Sequence, residues 1–264
     1  MSRNLLFLLI ILIVGAWITG QHFGLLSQSS PAREDETLPV DRSAECRWRE
    51  GPIKIDGQLD EQAWSKAQVL QNFVAYWAKR KPKTGTKARL LWDDKYLYFA
   101  AEMEDTDLYA DIKERNGMTW TNDVFELFFK PREDRLAYYE FQVNAANTPL
   151  ELYFPSRGSG GYQRFAPLTR LGMESAVKLD GTLNDWKDQD KGWTVEGRIP
   201  WTAFAATGGK PNPGDKWRFS LCRYDYSAAF DRPELSSTSA LTVSDFHRYE
   251  DFSELTFVGP TNIE

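Results

Sequence analysis

One run, Trp120 to Lys130, constrains the fold more than any other stretch: Trp-Thr-Asn-Asp-Val-Phe-Glu-Leu-Phe-Phe-Lys, closed by Pro131. It is short, rich in Val and Phe, and stopped by proline, which predicts a strand near the middle of a sheet. On a regular strand Phe125, Leu127 and Phe129 point to one face, and Trp120, Asn122, Val124 and Glu126 to the other. A carboxylate therefore stands among apolar neighbours.

The run Tyr138 to Asn147 repeats the design. Tyr139, Phe141 and Val143 suit a core, while Glu140, Gln142 and Asn144 share the opposite face. Pairing the two runs gathers hydrogen-bonding groups beside an aromatic ring, a surface suited to a sugar with its apolar ring face and rim of hydroxyls. The alternative is the ordinary wet side of an antiparallel sheet.

Other segments repeat this character. Lys87–Trp92 and Tyr96–Glu102 form a hairpin pattern about Asp93-Asp94-Lys95. Further strands are expected at Arg47–Ile55, Ser175–Leu179, Trp193–Ile199, Trp217–Tyr226 and Leu255–Val258. Short helices are expected at Glu61–Ala67, with Trp64 facing inward, and from Pro200-Trp201 through Phe204. Pro155 to Arg170, with three glycines, reads as a long exposed loop. With no strand-helix alternation, the pattern predicts an all-β fold, two antiparallel sheets packed as a β-sandwich with two short helices. The 264 residues and 16 Phe, 11 Tyr and 10 Trp suffice for one such core.

Before this domain, Leu5 to Ile18 is uninterrupted apolar sequence after Arg3. It is either a secretory signal or an N-terminal anchor helix. On its own it falls short of the ~20 residues of a span, but counting on through Leu26 reaches that length, and no convincing Ala-x-Ala site follows. The expected organisation is a signal anchor or signal peptide at 1–26, a linker at 27–44 with Pro31 and Pro39, and the β domain at 45–260. Arg3 inside and Glu34, Asp35 and Glu36 outside place the domain beyond the cytoplasmic face, tethered to the membrane through residues 5–26, or secreted if the segment is cleaved.

The formal charge of -6, with only the Lys79, Arg80, Lys81, Lys83 cluster as a basic tract, excludes a nucleic-acid partner. Cys46 and Cys222 fit an oxidising compartment, either joined, which in the chain-entropy account contributes about 4 kcal/mol, or as separate buried thiols. No Cys or His cluster has zinc spacing. Asp105 and Asp107, at a strand end, are candidate calcium ligands, with a solvated acidic loop as the alternative.

Four patches in order resemble the family 9 carbohydrate-binding modules: Ile55-Asp56-Gly57 with Leu59-Asp60-Glu61 and Trp64; Leu91 to Tyr98; Trp120 with Asp123, Val124, Glu126, Leu127 and Phe128; and Gly192 to Glu196 with Ile199-Pro200-Trp201. The similarity covers about Cys46 to Phe257 and implies a DOMON-like β-sandwich. It also implies a non-catalytic module binding glucose- or xylose-type sugar ends in polysaccharide catabolism, with structural calcium in some members. Carried over by resemblance, Trp120 is half of an aromatic clamp, Glu126 the sugar-binding carboxylate and Asn144 a sugar-binding amide. Gln142 stands where the family pattern has Arg, and Phe246 where it has the second Trp. Three other readings remain: an envelope interaction domain with an eroded sugar site; a b-haem electron-transfer module using His247 with Met103 or Met118; and a glycosidase using Glu126 with Glu140.

Overall fold

The computed structural model describes residues 40–75 and 80–260. The anchor expected at 5–26, and the linker apart from residues 40–44, lie outside the described residues. Among the described residues eleven strands form: β1 (Ser43–Trp48), β2 (Thr86–Trp92), β3 (Tyr96–Glu104), β4 (Val124–Lys130), β5 (Tyr138–Asn144), β6 (Pro149–Phe154), β7 (Glu174–Asp180), β8 (Gly192–Pro200), β9 (Lys216–Asp225), β10 (Glu234–Ser237) and β11 (Ser253–Val258). The fold is all-β, as expected.

Hydrogen bonding corrects the expectation of two separate antiparallel sheets. The strands join in one sheet, in the order β6-β5-β4-β9-β11-β1-β2-β3-β8-β7, with β10 added on β9. The junction is β1, which pairs parallel with both β11 and β2, whereas every other ladder is antiparallel. The sheet curls over one core in which Phe125, Leu127 and Phe129 meet Leu97, Phe99, Trp193 and Val195. Its edges β6 and β7 approach one another through side chains: the Met173 amide donates to Glu151, and Asn147 and Ser175 are bonded. The sheet is thus nearly closed.

Local chemistry explains the hairpin between β2 and β3. The Asp93 carboxylate accepts the amides of Lys95 and Tyr96, fixing the turn. Another buried carboxylate, Glu196 on β8, accepts Trp64 Nε1 and the amides of Asp56 and Gly57. Trp64 is accordingly core, and Gly57, at φ 80°, allows the turn. Both expected helices exist only as 3₁₀ turns, Gln62–Lys66 and Trp201–Thr207, and the first strand ends at Trp48 rather than Ile55. Pro155 to Arg170 is not wholly irregular: it carries the short α-helix Gly161–Phe165, here α1, and the 3₁₀ turn Ala166–Leu168.

The outward face of β4 and β5 is not wet. A second apolar cluster covers it, formed by Phe128, Tyr138, Leu150, Leu152, Phe154, Leu241, Phe246 and Phe252. The segment 241–252 and α1 roof the sheet there, and every residue of β4 and β5 is buried. Cys46 belongs to the inner cluster and Cys222 to the outer one, so the two free, buried thiols lie on opposite faces of the sheet.

Candidate functional site

Between the outer face of β4–β5–β6 and its roof lies a cavity of about 390 Å³, large enough for a sugar ring. Its floor is set by register. Glu126 lies opposite Gln142 on β5 and Cys222 on β9, and Glu140 opposite Phe128, so Glu126 and Glu140 are diagonal neighbours on one face. Tyr224, two positions beyond Cys222, completes that face. The roof supplies Tyr162, Phe246 and His247, and Arg157 stands at the side.

Trp120 borders this cavity but is not on the strand. It occupies a 3₁₀ turn, Thr119–Thr121, before β4, and its ring meets Tyr162 edge-on at 4.7 Å. The turn is pinned twice: Tyr226 Oη donates to the Trp120 carbonyl at 2.9 Å, and Thr119 Oγ1 donates to Gln142 Oε1.

Glu126 is 2% exposed, and among the described residues its carboxyl has no hydrogen bond or ion pair. Burial holds its pKa well above the ordinary range, and the Glu140 charge pushes it further. Glu140 is raised by burial too, opposed by His247 and by the amide of Gln142, which donates to its Oε1. His247 Nε2 lies 4.0 Å from Glu140 Oε2, and its Nδ1 is paired with Tyr138 Oη at 3.0 Å. Arg157 is turned away into a bidentate pair with Glu250 at 2.6 and 2.7 Å.

Of the residues singled out from sequence, Trp120, Glu126, Gln142 and Phe246 line this one cavity. Asn144 does not. Its Nδ2 donates to the Ile112 carbonyl and to Asn122 Oδ1, and its Oδ1 accepts the Thr148 amide, so it braces the turn after β5. Phe246 is 6% exposed, edge-on to Tyr224 at 5.4 Å, and presents little of its face. Tyr224, Tyr162 and Arg157 were missed as site residues because only the β4–β9 pairing and the roof bring them here. The haem ligands do not converge: Met103 is in the inner core, Met118 is exposed, and His247 packs on Phe128 in the outer cluster.

On the inner side of β4 an acidic cluster has formed. Asp105, Asp123 and Asp225 are all buried, each with a carboxylate oxygen within 4.8 Å of the others. Arg223, 1% exposed, reaches Asp105 Oδ2 at 3.0 Å and Asp225 Oδ2 at 3.3 Å, and also donates to the carbonyls of Gly85 and Glu104. Asp123 accepts the amides of Tyr109 and Tyr226, both at 2.6 Å. Three ionised carboxylates would outnumber the one guanidinium by two charges, and the cluster is accordingly pushed toward its protonated forms. Burial, with Asp225 adding to it, pushes Asp105 up to about 7, and Asp225 Oδ1 has no partner among the described residues. Three carboxylates are donors of the kind calcium takes, with the Arg223 guanidinium already seated against two of them. Asp107 is not part of the cluster, since its carboxylate caps the Ala228 amide.

Comparison with known proteins gives one consistent result. Residues 55–259 match the family described as Carbohydrate family 9 binding domain-like. The chain is 26% identical over 237 residues to endo-1,4-beta-xylanase A of Thermotoga maritima, covering 88% of this chain and 19% of that protein. It is 26% identical over 164 residues to exoglucanase XynX of Acetivibrio thermocellus, covering 60% of this chain and 12% of that protein. The chain therefore spans less than a fifth of the length of these relatives. Among solved structures, a family 9 carbohydrate-binding module from Caldicellulosiruptor kristjanssonii in complex with cellotriose superposes with a TM-score of 0.57 at 18% identity, covering 83% of this chain and 95% of that one. A putative carbohydrate-binding protein from Bacteroides uniformis gives 0.63 at 18% identity, with 81% and 98% covered. These likenesses establish the shared fold.

Proposed function

The chain belongs to the carbohydrate family 9 binding domain-like family, and from that premise we propose that the cavity over β4 and β5 binds a gluco- or xylo-configured sugar without catalysing its cleavage. One observation carries the reading: Glu126, buried and without a hydrogen-bond partner among the described residues, lines a cavity walled by Trp120, Tyr162 and Tyr224. A sugar hydroxyl donating to that carboxylate would supply the missing bond, while the rings cover the apolar ring face. The Caldicellulosiruptor kristjanssonii modules in complex with cellotriose and with glucose support the ligand class.

Binding is favoured over hydrolysis by the placement of the two carboxyls. Glu126 and Glu140 stand side by side on one wall, whereas glycosidases place their pair on either side of the scissile bond. The apolar run Leu5–Ile18 leads to the further proposal that the module is exported and held at the membrane. Asp105, Asp123 and Asp225 would hold a structural calcium, which would supply charge balance inside the fold. A second reading, an interaction domain on the same fold, draws on Asn144 being engaged elsewhere and Phe246 being largely covered.

Calorimetric titration of the full chain with gluco- and xylo-oligosaccharides decides between them. The sugar reading expects a dissociation constant in the micromolar to millimolar range, about 4 to 8 kcal/mol. It also expects that heat to shrink in Trp120→Ala. Heat that the variant leaves unchanged removes this cavity as the site, and silence toward every sugar favours the interaction domain.

A further inference from the structure

The cavity sets two acids side by side with no basic side chain bound to Glu126 among the described residues. Two carboxyls, Glu126 and Glu140, open into it, both under 5% exposed. Neither basic side chain nearby is bound to Glu126: Arg157 is paired with Glu250, and His247 Nε2 lies 4.0 Å from Glu140 Oε2. The remaining groups facing the pair are Tyr138 and Gln142 on β5, Tyr224 and Cys222 on β9, and Asp245 in the roof, which adds no positive charge. Gln142 offers Glu140 an amide, and its carbonyl already accepts from Thr119.

Resting on the reading of this cavity as a sugar site, we infer that it selects saccharides bearing a protonated amino group, amino sugars of the glucosamine type, over their neutral counterparts. A primary ammonium carries three N–H donors and one charge, enough to bridge two adjacent carboxyls, whereas a hydroxyl carries one donor and no charge. The aromatic walls suit the same ligand, since Trp and Tyr faces attract a cation as well as an apolar ring. Burial raises both carboxyls above their ordinary range. An ammonium seated between them favours their ionised forms, so its binding is coupled to proton release. An N-acetyl group, being neutral, loses the advantage.

Three β-1,4 disaccharides of one ring geometry test this on the full chain: cellobiose, fully deacetylated chitobiose and N,N′-diacetylchitobiose, titrated calorimetrically at about pH 7, below the ordinary range of an amine. The amino disaccharide is expected to bind about tenfold tighter than cellobiose or more, a gap of about 1.4 kcal/mol. Titration in two buffers of different ionisation heat should show proton release with the amino disaccharide and none with cellobiose. Glu126→Gln should erase the gap, and Glu140→Gln should narrow it. Cellobiose binding as tightly as the amino disaccharide, or the diacetylated form matching it, overturns the inference and leaves the sugar reading standing. Silence toward all three and toward xylobiose overturns both.

Discussion

Replacing Glu126 by Gln should stabilise the fold at neutral and alkaline pH, and the gain should vanish in acid. The carboxyl is 2% exposed, faces Glu140 diagonally across the ladder, and among the described residues has no hydrogen bond. Its ordinary pKa is 4.5, and the folded value is raised by burial and then by Glu140. Below 4.5 folded and unfolded chains both hold the proton, and the variant differs little from the parent. As pH rises the unfolded chain releases its proton first, so unfolding of the parent is favoured until the folded value has been passed. Gln has the same shape and does not titrate, so it escapes this loss. Each pKa unit by which the folded value exceeds the ordinary one costs the parent about 1.4 kcal/mol at the alkaline end, which at about 2–4 °C per kcal/mol for a domain of this size separates the midpoints by about 3–6 °C. Scanning calorimetry of both chains between about pH 4 and about pH 8 reads the difference directly. Midpoints that run parallel across that range, or a Gln variant less stable at the alkaline end, would refute the argument that Glu126 is an uncompensated acid.

Four further outcomes follow from the same geometry. Chelation should lower the midpoint and calcium at a hundredfold excess over its Kd should restore about 2.7 kcal/mol, while pulling Asp105 down from about 7; a midpoint indifferent to both excludes the cation. Arg223→Met leaves Asp105 and Asp225 buried without their counter-ion, and should cost about 3–5 kcal/mol in urea unfolding at neutral pH; a loss below about 1 kcal/mol would show that the cluster stays protonated. Tyr226→Phe removes the 2.9 Å bond to the Trp120 carbonyl, and should cost about 0.5–1.5 kcal/mol and weaken sugar binding without touching the ligand. Cys46 and Cys222, whose thiols burial pushes well up, should resist a thiol reagent until denaturant is added, and rapid reaction of the native chain would contradict their burial.

What could be read from sequence was whatever alternation alone determines. Phe125, Leu127 and Phe129 fall on the inner face and Glu126 on the outer, as the period of two requires. Alternation gives no information about where a strand stops. Asn144 has the parity of Glu140 and Gln142, yet it is the last residue of β5, and the chain turns there to bring the Thr148 amide onto its side chain. Nor does it say what covers a face. The roof over β4 and β5 comes from α1 and from residues 241–252, the latter about a hundred positions beyond β5, so a face that alternation left uncovered is enclosed. β6 escaped notice although Leu150, Leu152 and Phe154 alternate, because Pro149 opens it and proline is tolerated only at a strand start or an edge. The single sheet, in place of two, depends on β1 pairing parallel with both β11 and β2, non-local contacts that no local pattern encodes.

The same limit hid the acidic cluster, and its position relative to the cavity gives it a role. Asp123, just before β4, and Glu126 on it are three positions apart and point to opposite faces: one toward Asp105, Arg223 and Asp225, the other into the cavity. Asp123 is bonded to the Tyr226 amide, and the Tyr226 hydroxyl to the Trp120 carbonyl. The Trp120 turn therefore rests on the cluster through two hydrogen bonds, while its other side is tied to Gln142 through Thr119. Protonating or unbalancing the cluster should loosen one of the two ties that hold the ring beside Tyr162, an expectation from the bonded chain Asp123–Tyr226–Trp120. Charge balance on the inner face of the strand thus becomes a condition for the geometry of the cavity on the outer face, and the loss of either tie should weaken binding even with every ligand-facing side chain intact.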